Sequence, residues 1–269
     1  RMNEEEKRYD IVEVNGIRIG MICYTYSSGL SEDGRPRLNG NSPVEKPELV
    51  NFFSYGNLDG FCTELSGIRE QMLAEGAEAT VFLVHWGTEY ELTENNYQQQ
   101  IAQKVCDMGF DAIIGAHPHV VQPAALLRST EDPSHLTACI YSLGNAVSNQ
   151  RRELMNLNTG NTEDGALFSV SFDQYSDGTV YLADAELLPT WVNMHTGDSG
   201  VEYNILPLDN DTREDWQNLY QLTDREYSRS LESYDRTDAI TGAGMADIRQ
   251  ALAQARETRD AAYLAAVGR

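Results

Sequence analysis

An α/β fold is what this sequence predicts, on three observations. Residues Val81 to Gln122 read as strand, loop, helix, strand and loop, the pattern of a parallel βαβ unit. Asn15-Gly16 joins two β-rich runs, YDIVEV and IRIGMICYTY, and both turn residues tolerate the positive φ of a type I′ hairpin. Farther on, the alternating runs Ala166 to Phe172 and Thr179 to Glu186 flank Tyr175-Ser176-Asp177-Gly178, a second hairpin. At 269 residues the chain is long enough to bury a substantial core.

Taken in order, Arg1 to Arg8 is a charged end expected to fray. Ser27 to Gly60, after the first hairpin, carries Gly, Pro, Asn and Ser without periodicity and reads as a long loop able to overhang a site. Leu65, Ile68, Met72 and Leu73 have helical spacing within Glu64 to Glu75, and Gly76 stops that helix. Ala79 to Val84 is apolar except for Thr80, as in a strand buried on both faces. Thr93 is the expected cap of the next helix, where Tyr97, Ile101, Val105 and Met108 make one stripe that ends at Gly109. Asp111 to Gly115, His135 to Ser142 and Val201 to Leu206 complete the strands, with Leu143-Gly144-Asn145 as a turn. From Asp211 the composition shifts to charged helix formers. Leu219, Leu222, Tyr227 and Leu231 suit one amphipathic helix and Ile248, Leu252 and Ala255 a second, with Asp235 to Gly244 between them. The organisation predicted is a main domain over 9–207 and an accessory helical tail over 211–269.

Forty-two acidic against 20 basic side chains give a net charge of -22. Such a surface repels nucleic acid and anionic lipid, so neither is an expected partner. No apolar run approaches the ~20 residues of a membrane span. Neither a secretory leader nor a natural initiator opens the sequence at Arg1, as in a mature or trimmed product. The four cysteines are widely spaced without a CxxC pair; Cys23 and Cys139 read as core thiols in strands and Cys106 as one on a helix. There is no GxSxG, P-loop or dinucleotide fingerprint, so serine hydrolysis and nucleotide binding through those motifs lack support.

The chemistry points to histidine. His85 follows the first strand of the βαβ unit, and His117 and His119 follow the second. Parallel strands bring those ends to one carboxyl edge of the sheet, where open α/β sheets bind ligands. Imidazole suits Zn, Mn, Fe or Ni, and Pro118 stiffens the His-x-His loop. The alternative is three hydrogen-bonded structural histidines. Glu89 could ligate, hold a histidine or act as acid/base, or it is a solvated loop carboxylate. Asn145 could reach the same edge or serve only its turn. Arg151 and Arg152 could bind a phosphate or carboxylate bidentately, or be paired surface charges. His135, His195 and Asp111 read as structural.

Three motifs, VHWGTEY (Val84 to Tyr90), GFDAIIGAHPHVVQP (Gly109 to Pro123) and IYSLGNAVSNQR (Ile140 to Arg151), together with IRIGMICYTY and AELLPTW (Ala185 to Trp191), carry a resemblance. In this order they resemble the bacterial capsule-synthesis CapA-like family, linked to poly-γ-glutamate capsules and similar in turn to calcineurin-like metallophosphoesterases. The resemblance covers about residues 10 to 207. It implies a layered α/β sandwich with the site at the sheet edge, and two-metal hydrolysis of a phosphate ester. By resemblance His85, His117 and His119 are metal ligands for Mn, Fe or Zn; Glu89 and Asn145 are expected to support catalysis from their own positions near that edge. The implied substrate is an anionic polymer or phosphoester, bound with help from Arg151 and Arg152, and the implied location is the cell surface or outside the cell. The family's Gly-Asp, Asn-x-Glu and Asn-Asn-His segments do not occur upstream of the hairpin. The expectation is therefore the C-terminal part of the domain, completed by an upstream segment of the same protein and binding at most one metal weakly by itself. A non-catalytic surface module that retains the fold is the alternative.

Overall fold

The structure, a computed structural model, describes residues 6–38, 40, 43–157, 159–197 and 200–266. Most of the charged start expected to fray, residues 1–5, lies outside them. The first hairpin is β1 (Asp10–Val14) and β2 (Ile17–Leu30), with Asn15 and Gly16 at φ of 51° and 88° as the turn type requires. Within Ser27 to Gly60 the described residues hold more regular structure than the composition suggests. β2 runs on to Leu30, β3 (Pro36–Leu38) and β4 (Phe52–Phe53) pair with it, and α1 (Leu58–Ala74) begins six residues before Glu64. The Asn57 side chain accepts from the Gly60 N–H and so starts the helix early.

β5 (Ala79–His85) follows, then α2 (Asn96–Asp107). Asn95 caps α2, not Thr93; its side chain and that of Gln98 exchange hydrogen bonds with the backbone in a capping box. β6 (Ala112–Ala116) closes the βαβ unit. β7 (Ala124–Arg128) was not expected, because Ala-Ala-Leu-Leu-Arg has helix-forming composition. Antiparallel pairing with β8 (Leu136–Ile140) overrides that preference. The second hairpin is β9 (Asp164–Gln174) and β10 (Val180–Gly197), and β11 (Gly200–Pro207) adds to β10.

The main sheet runs in the order β1-β2-β5-β6-β8-β7, with β2, β5, β6 and β8 parallel. One face is packed by α1 and α2, around Tyr24, Phe61, Leu65, Met72, Phe82, Val84, Ile101 and Val105. On the other face, Ala138 and Ile140 meet Leu182 and Ala185 of β10, from the second, three-stranded sheet. The fold is thus the mixed, layered α/β arrangement that the sequence predicts.

The tail departs from expectation. After the short α3 (Trp216–Leu219), a single helix, α4 (Asp224–Ala266), runs for 43 residues straight through Asp235 to Gly244. Ser230, Ser233, Thr237, Thr241, Met245, Ile248 and Leu252 are its buried stripe, at spacings of three and four. Four of those seven residues are small and polar, so a hydrophobic pattern cannot find the stripe. Met245, Ile248 and Leu252 share a core with β7, β8 and β10. Among the described residues no helix is long and apolar enough to cross a membrane.

Candidate functional site

The register sets Thr25, His85 and Ala116 side by side; β5 and β6 end there while β2 runs on to Leu30, and the loops that follow β5 and β6 converge. At that edge the His85 and His117 ring centres are 4.4 Å apart and those of His117 and His119 are 6.2 Å apart. The backbone there is strained. His117, His119 and Tyr90 have φ of 107°, 60° and 66°, three of the five non-glycine positive values among the described residues. Such conformations cost about 1–3 kcal/mol each and persist where the surroundings over-determine them. The two strained loops are tied together, since the Tyr90 N–H donates to the Pro118 carbonyl at 2.8 Å.

Asn145 orders the far side. Its Nδ2 donates to the carbonyls of His119 (3.1 Å) and Thr162 (2.9 Å) and to Gln150 Oε1 (3.2 Å). Its Oδ1 therefore accepts, 2.9 Å from His119 Nδ1, which puts the ring proton on Nδ1 and the lone pair on Nε2. Gln150 Nε2 in turn donates to the Tyr90 hydroxyl at 3.1 Å, and the Tyr90 ring stacks on His119. His117 Nε2 lies 3.3 Å from the Tyr26 hydroxyl, and its buried Nδ1 has no hydrogen-bond partner. Tyr26 also stacks on His85. Tyr26, Tyr90 and Gln150 lie inside the motifs but the sequence reading does not assign them to the site, because their place beside the imidazoles depends on register and loop closure.

Burial pulls the His117 imidazole down to about 4, helped by its two histidine neighbours, and lowers His85 for the same first reason. Glu89 is exposed, with its charge near enough to oppose the shift at His85. At neutral pH His85 and His117 are uncharged and offer lone pairs, as metal ligands must. The donor chemistry fits a borderline cation such as Zn or Mn, and the unpartnered His117 Nδ1 fits a missing ligand bond. The cage does not close, however. Among the described residues no group of three or more His, Cys, Asp or Glu side chains is placed to hold one ion.

A pH prediction follows from His117. Its folded pKa lies below the unfolded 6.5, so the unfolded chain binds more protons between those values and stability falls with falling pH. In metal-free protein the loss reaches ~3 kcal/mol by pH 4. Urea unfolding at pH 7 and pH 4 should show a smaller difference for His117→Gln than for the native chain. An equal difference would mean that His117 is not buried as a neutral ring.

Arg151 and Arg152, the expected anion-binding pair, are both held in ion pairs within the chain. Arg151 is 1% exposed and pairs with Glu163 at 3.2 Å, and its Nη1 donates to the Val192 carbonyl. Arg152 bridges Glu163 (3.2 Å) and Glu232 (3.0 Å). Their charges are neutralised internally by an acid that sequence adjacency could not reveal. Asp111, at the opposite sheet edge, accepts from the Thr80 N–H, and His135 bonds the Phe110 carbonyl; both are structural. All four cysteines are free, but Cys23, expected in the core, is exposed.

A family model described as Bacterial capsule synthesis protein PGA_cap matches residues 1–150. The chain is similar to PGA biosynthesis protein CapA of Bacillus subtilis (strain 168), 29% identical over 149 residues, 55% of this chain and 33% of that protein. It is similar also to Capsule biosynthesis protein CapA of Bacillus anthracis, 35% identical over 74 residues, 28% of this chain and 16% of that protein. The matched stretch thus spans a third or less of these relatives. All three histidines and Asn145 fall within the family match.

Proposed function

We propose, from the premise that this chain belongs to the bacterial capsule synthesis protein family, that it is part of a metal-dependent, phosphoesterase-like hydrolase serving capsule or poly-γ-glutamate assembly at the cell surface. The observation that carries the reading is the convergence of three imidazoles, two on strained backbone, at the carboxyl edge of a parallel sheet. His85, His117 and His119 would hold a divalent ion, Mn, Fe or Zn, which when bound polarises a phosphoryl oxygen and acidifies a bound water. Asn145 is a positioning residue: it fixes the tautomer and direction of the His119 ring. Glu89, exposed beside His85, is the candidate proton acceptor, and the substrate is an anionic polymer or a phosphoester. Carboxylate ligands would come from outside the span of this chain.

One observation favours a second reading, a non-catalytic module that retains the fold for binding: the absence of a closed cage among the described residues. Metal analysis and a generic phosphoester assay with p-nitrophenyl phosphate, run on this chain and on a longer natural polypeptide, separate the two. The enzyme reading expects no more than one weakly held ion here, hydrolysis by the longer form, and loss of both with His117→Ala. Asn145→Ala should weaken metal affinity about 10–100-fold with the fold intact. Neither metal nor activity in either form would establish the binding module instead.

A further inference from the structure

The helix α4 lies wholly beyond the family match at residues 1–150, yet it reaches the histidine edge through a buried ion pair. Asp164, the first residue of β9, is 2% exposed. A carboxylate that deep needs full pairing, and α4 supplies it. Arg236 donates from Nε to Asp164 Oδ2 and from Nη2 to Oδ1, both at 2.7 Å, the forked geometry in which a guanidinium holds a carboxylate most firmly. Ser233, three residues earlier and fully buried, donates its hydroxyl to Oδ1 at 2.6 Å. Arg236 Nη2 also donates to the Gly160 carbonyl at 3.3 Å. Beside Ser233 in the helix, Glu232 pairs with Arg152 at 3.0 Å. The turn over 160–164 is thus fastened to the helix at both ends.

The other side of that turn grips Asn145. The Asn145 N–H donates to the Asp164 carbonyl at 3.1 Å, and its Nδ2 to the Thr162 carbonyl at 2.9 Å. Thr162 donates its hydroxyl to the Gln150 carbonyl, 2.5 Å away. The approach is close enough to require glycine on both sides. A Cβ at Gly144 would fall 2.5 Å from the Asp164 carbonyl oxygen, and one at Gly165 2.4 Å from the Asn145 carbonyl oxygen. A primary amide points its oxygen according to where its N–H groups bond. With the Asn145 backbone and Nδ2 both held by the turn, Oδ1 is left facing His119 Nδ1 at 2.9 Å.

We propose that Ser233 and Arg236 of α4 are positioning residues, which through Asp164 and Asn145 fix the His119 ring with its proton on Nδ1. The helix that the family match leaves out is then part of the site. That the ring is a metal donor rests on the proposed function; that α4 sets its tautomer does not. The helix has a second attachment, Met245, Ile248 and Leu252 in the core shared with β7, β8 and β10, so it stays docked when the clamp is removed.

The signature is the tautomer, read by nitrogen-15 NMR of the imidazoles in metal-free protein at about pH 8, where a free imidazole is neutral. His119 is assigned by its loss in His119→Gln. The native chain should show His119 as the Nδ1–H form alone, and Asn145→Ala a mixture of both forms. Arg236→Met should give the same mixture. So should Arg236→Met combined with Asp164→Asn, which leaves no buried charge unpaired and guards against loss of the fold. Leu252→Ala, in the same helix but in the apolar core, should lower the urea midpoint and leave the single form in place. A single Nδ1–H form in both clamp variants, with Asn145→Ala mixed, would overturn the proposal and leave the role of Asn145 standing. A mixture in Leu252→Ala as well would trace the effect to helix docking in general and overturn it too. A mixture already in the native chain, or a single form in Asn145→Ala, would remove Asn145 as the positioning residue and the clamp with it.

Discussion

Glu163→Gln should cost about 3–5 kcal/mol of folding stability, the price of leaving a buried cation unpaired. Glu163 is fully buried, in the turn that leads into β9. It accepts from the Arg152 N–H at 2.9 Å, from Arg152 Nε at 3.2 Å and from Trp191 Nε1 at 3.3 Å, and it neutralises Arg151 at 3.2 Å. Glutamine keeps the shape and an acceptor oxygen but removes the charge. Arg151, 1% exposed, would then keep the Val192 carbonyl and no anion at Glu163. Surface pairs in this chain, such as Lys7–Glu75, contribute little because solvent screens them, so burial decides the size of the effect. Calorimetry should record a fall in Tm of about 6–20 °C. The double variant Arg151→Met with Glu163→Leu should lose less than Glu163→Gln alone, because a shape-matched apolar pair leaves no stranded charge. An unchanged Tm together with a raised KM for a phosphoester would return Arg151 to the substrate-binding role that its sequence context suggests.

That contrast shows what the sequence can and cannot carry. Asn15-Gly16 and the strand–helix–strand unit are legible because their signals are local: positive φ at two residues, and apolar periods of two and 3.6. The convergence of His85 with His117 and His119 is legible because a parallel connection fixes which strand ends share an edge. Glu163 lies 11 residues beyond Arg152 in a different turn, and nothing local says that the two meet. Cys23 sits in an alternating strand whose other face is buried, so the pattern marks it as core although its own side of the sheet is open. Asn95 and Thr93 are both good caps, and Gln98 at the third helical position decides between them. The same limit applies to α4, where Gly242 and Gly244 look like a turn and the close contact that needs a small residue is made with a strand 120 residues earlier.

Gly244→Ala tests that last point, because local and tertiary effects have opposite signs there. In an exposed helix interior alanine gains about 1 kcal/mol over glycine. At Gly244, however, a Cβ would fall 1.8 Å from the Ala124 carbonyl oxygen of β7. That obstacle is strand backbone, held in register opposite Ile140, and not the end of a flexible side chain. The helix would have to lift from the sheet, loosening Met245, Ile248 and Leu252 from the core they share with β7 and β8. Overpacking of this kind costs about 1–3 kcal/mol and more where backbone must move, so the contact outweighs the propensity. Gly67→Ala, in α1 with nothing within 4 Å of the new Cβ, is the matched control and should stabilise by about 0.5–1 kcal/mol. Urea unfolding should therefore move the two midpoints in opposite directions. If Gly244→Ala also stabilised, α4 would not lie against β7 at that point, and two helices hinged at Asp235 to Gly244 would describe the tail better than one.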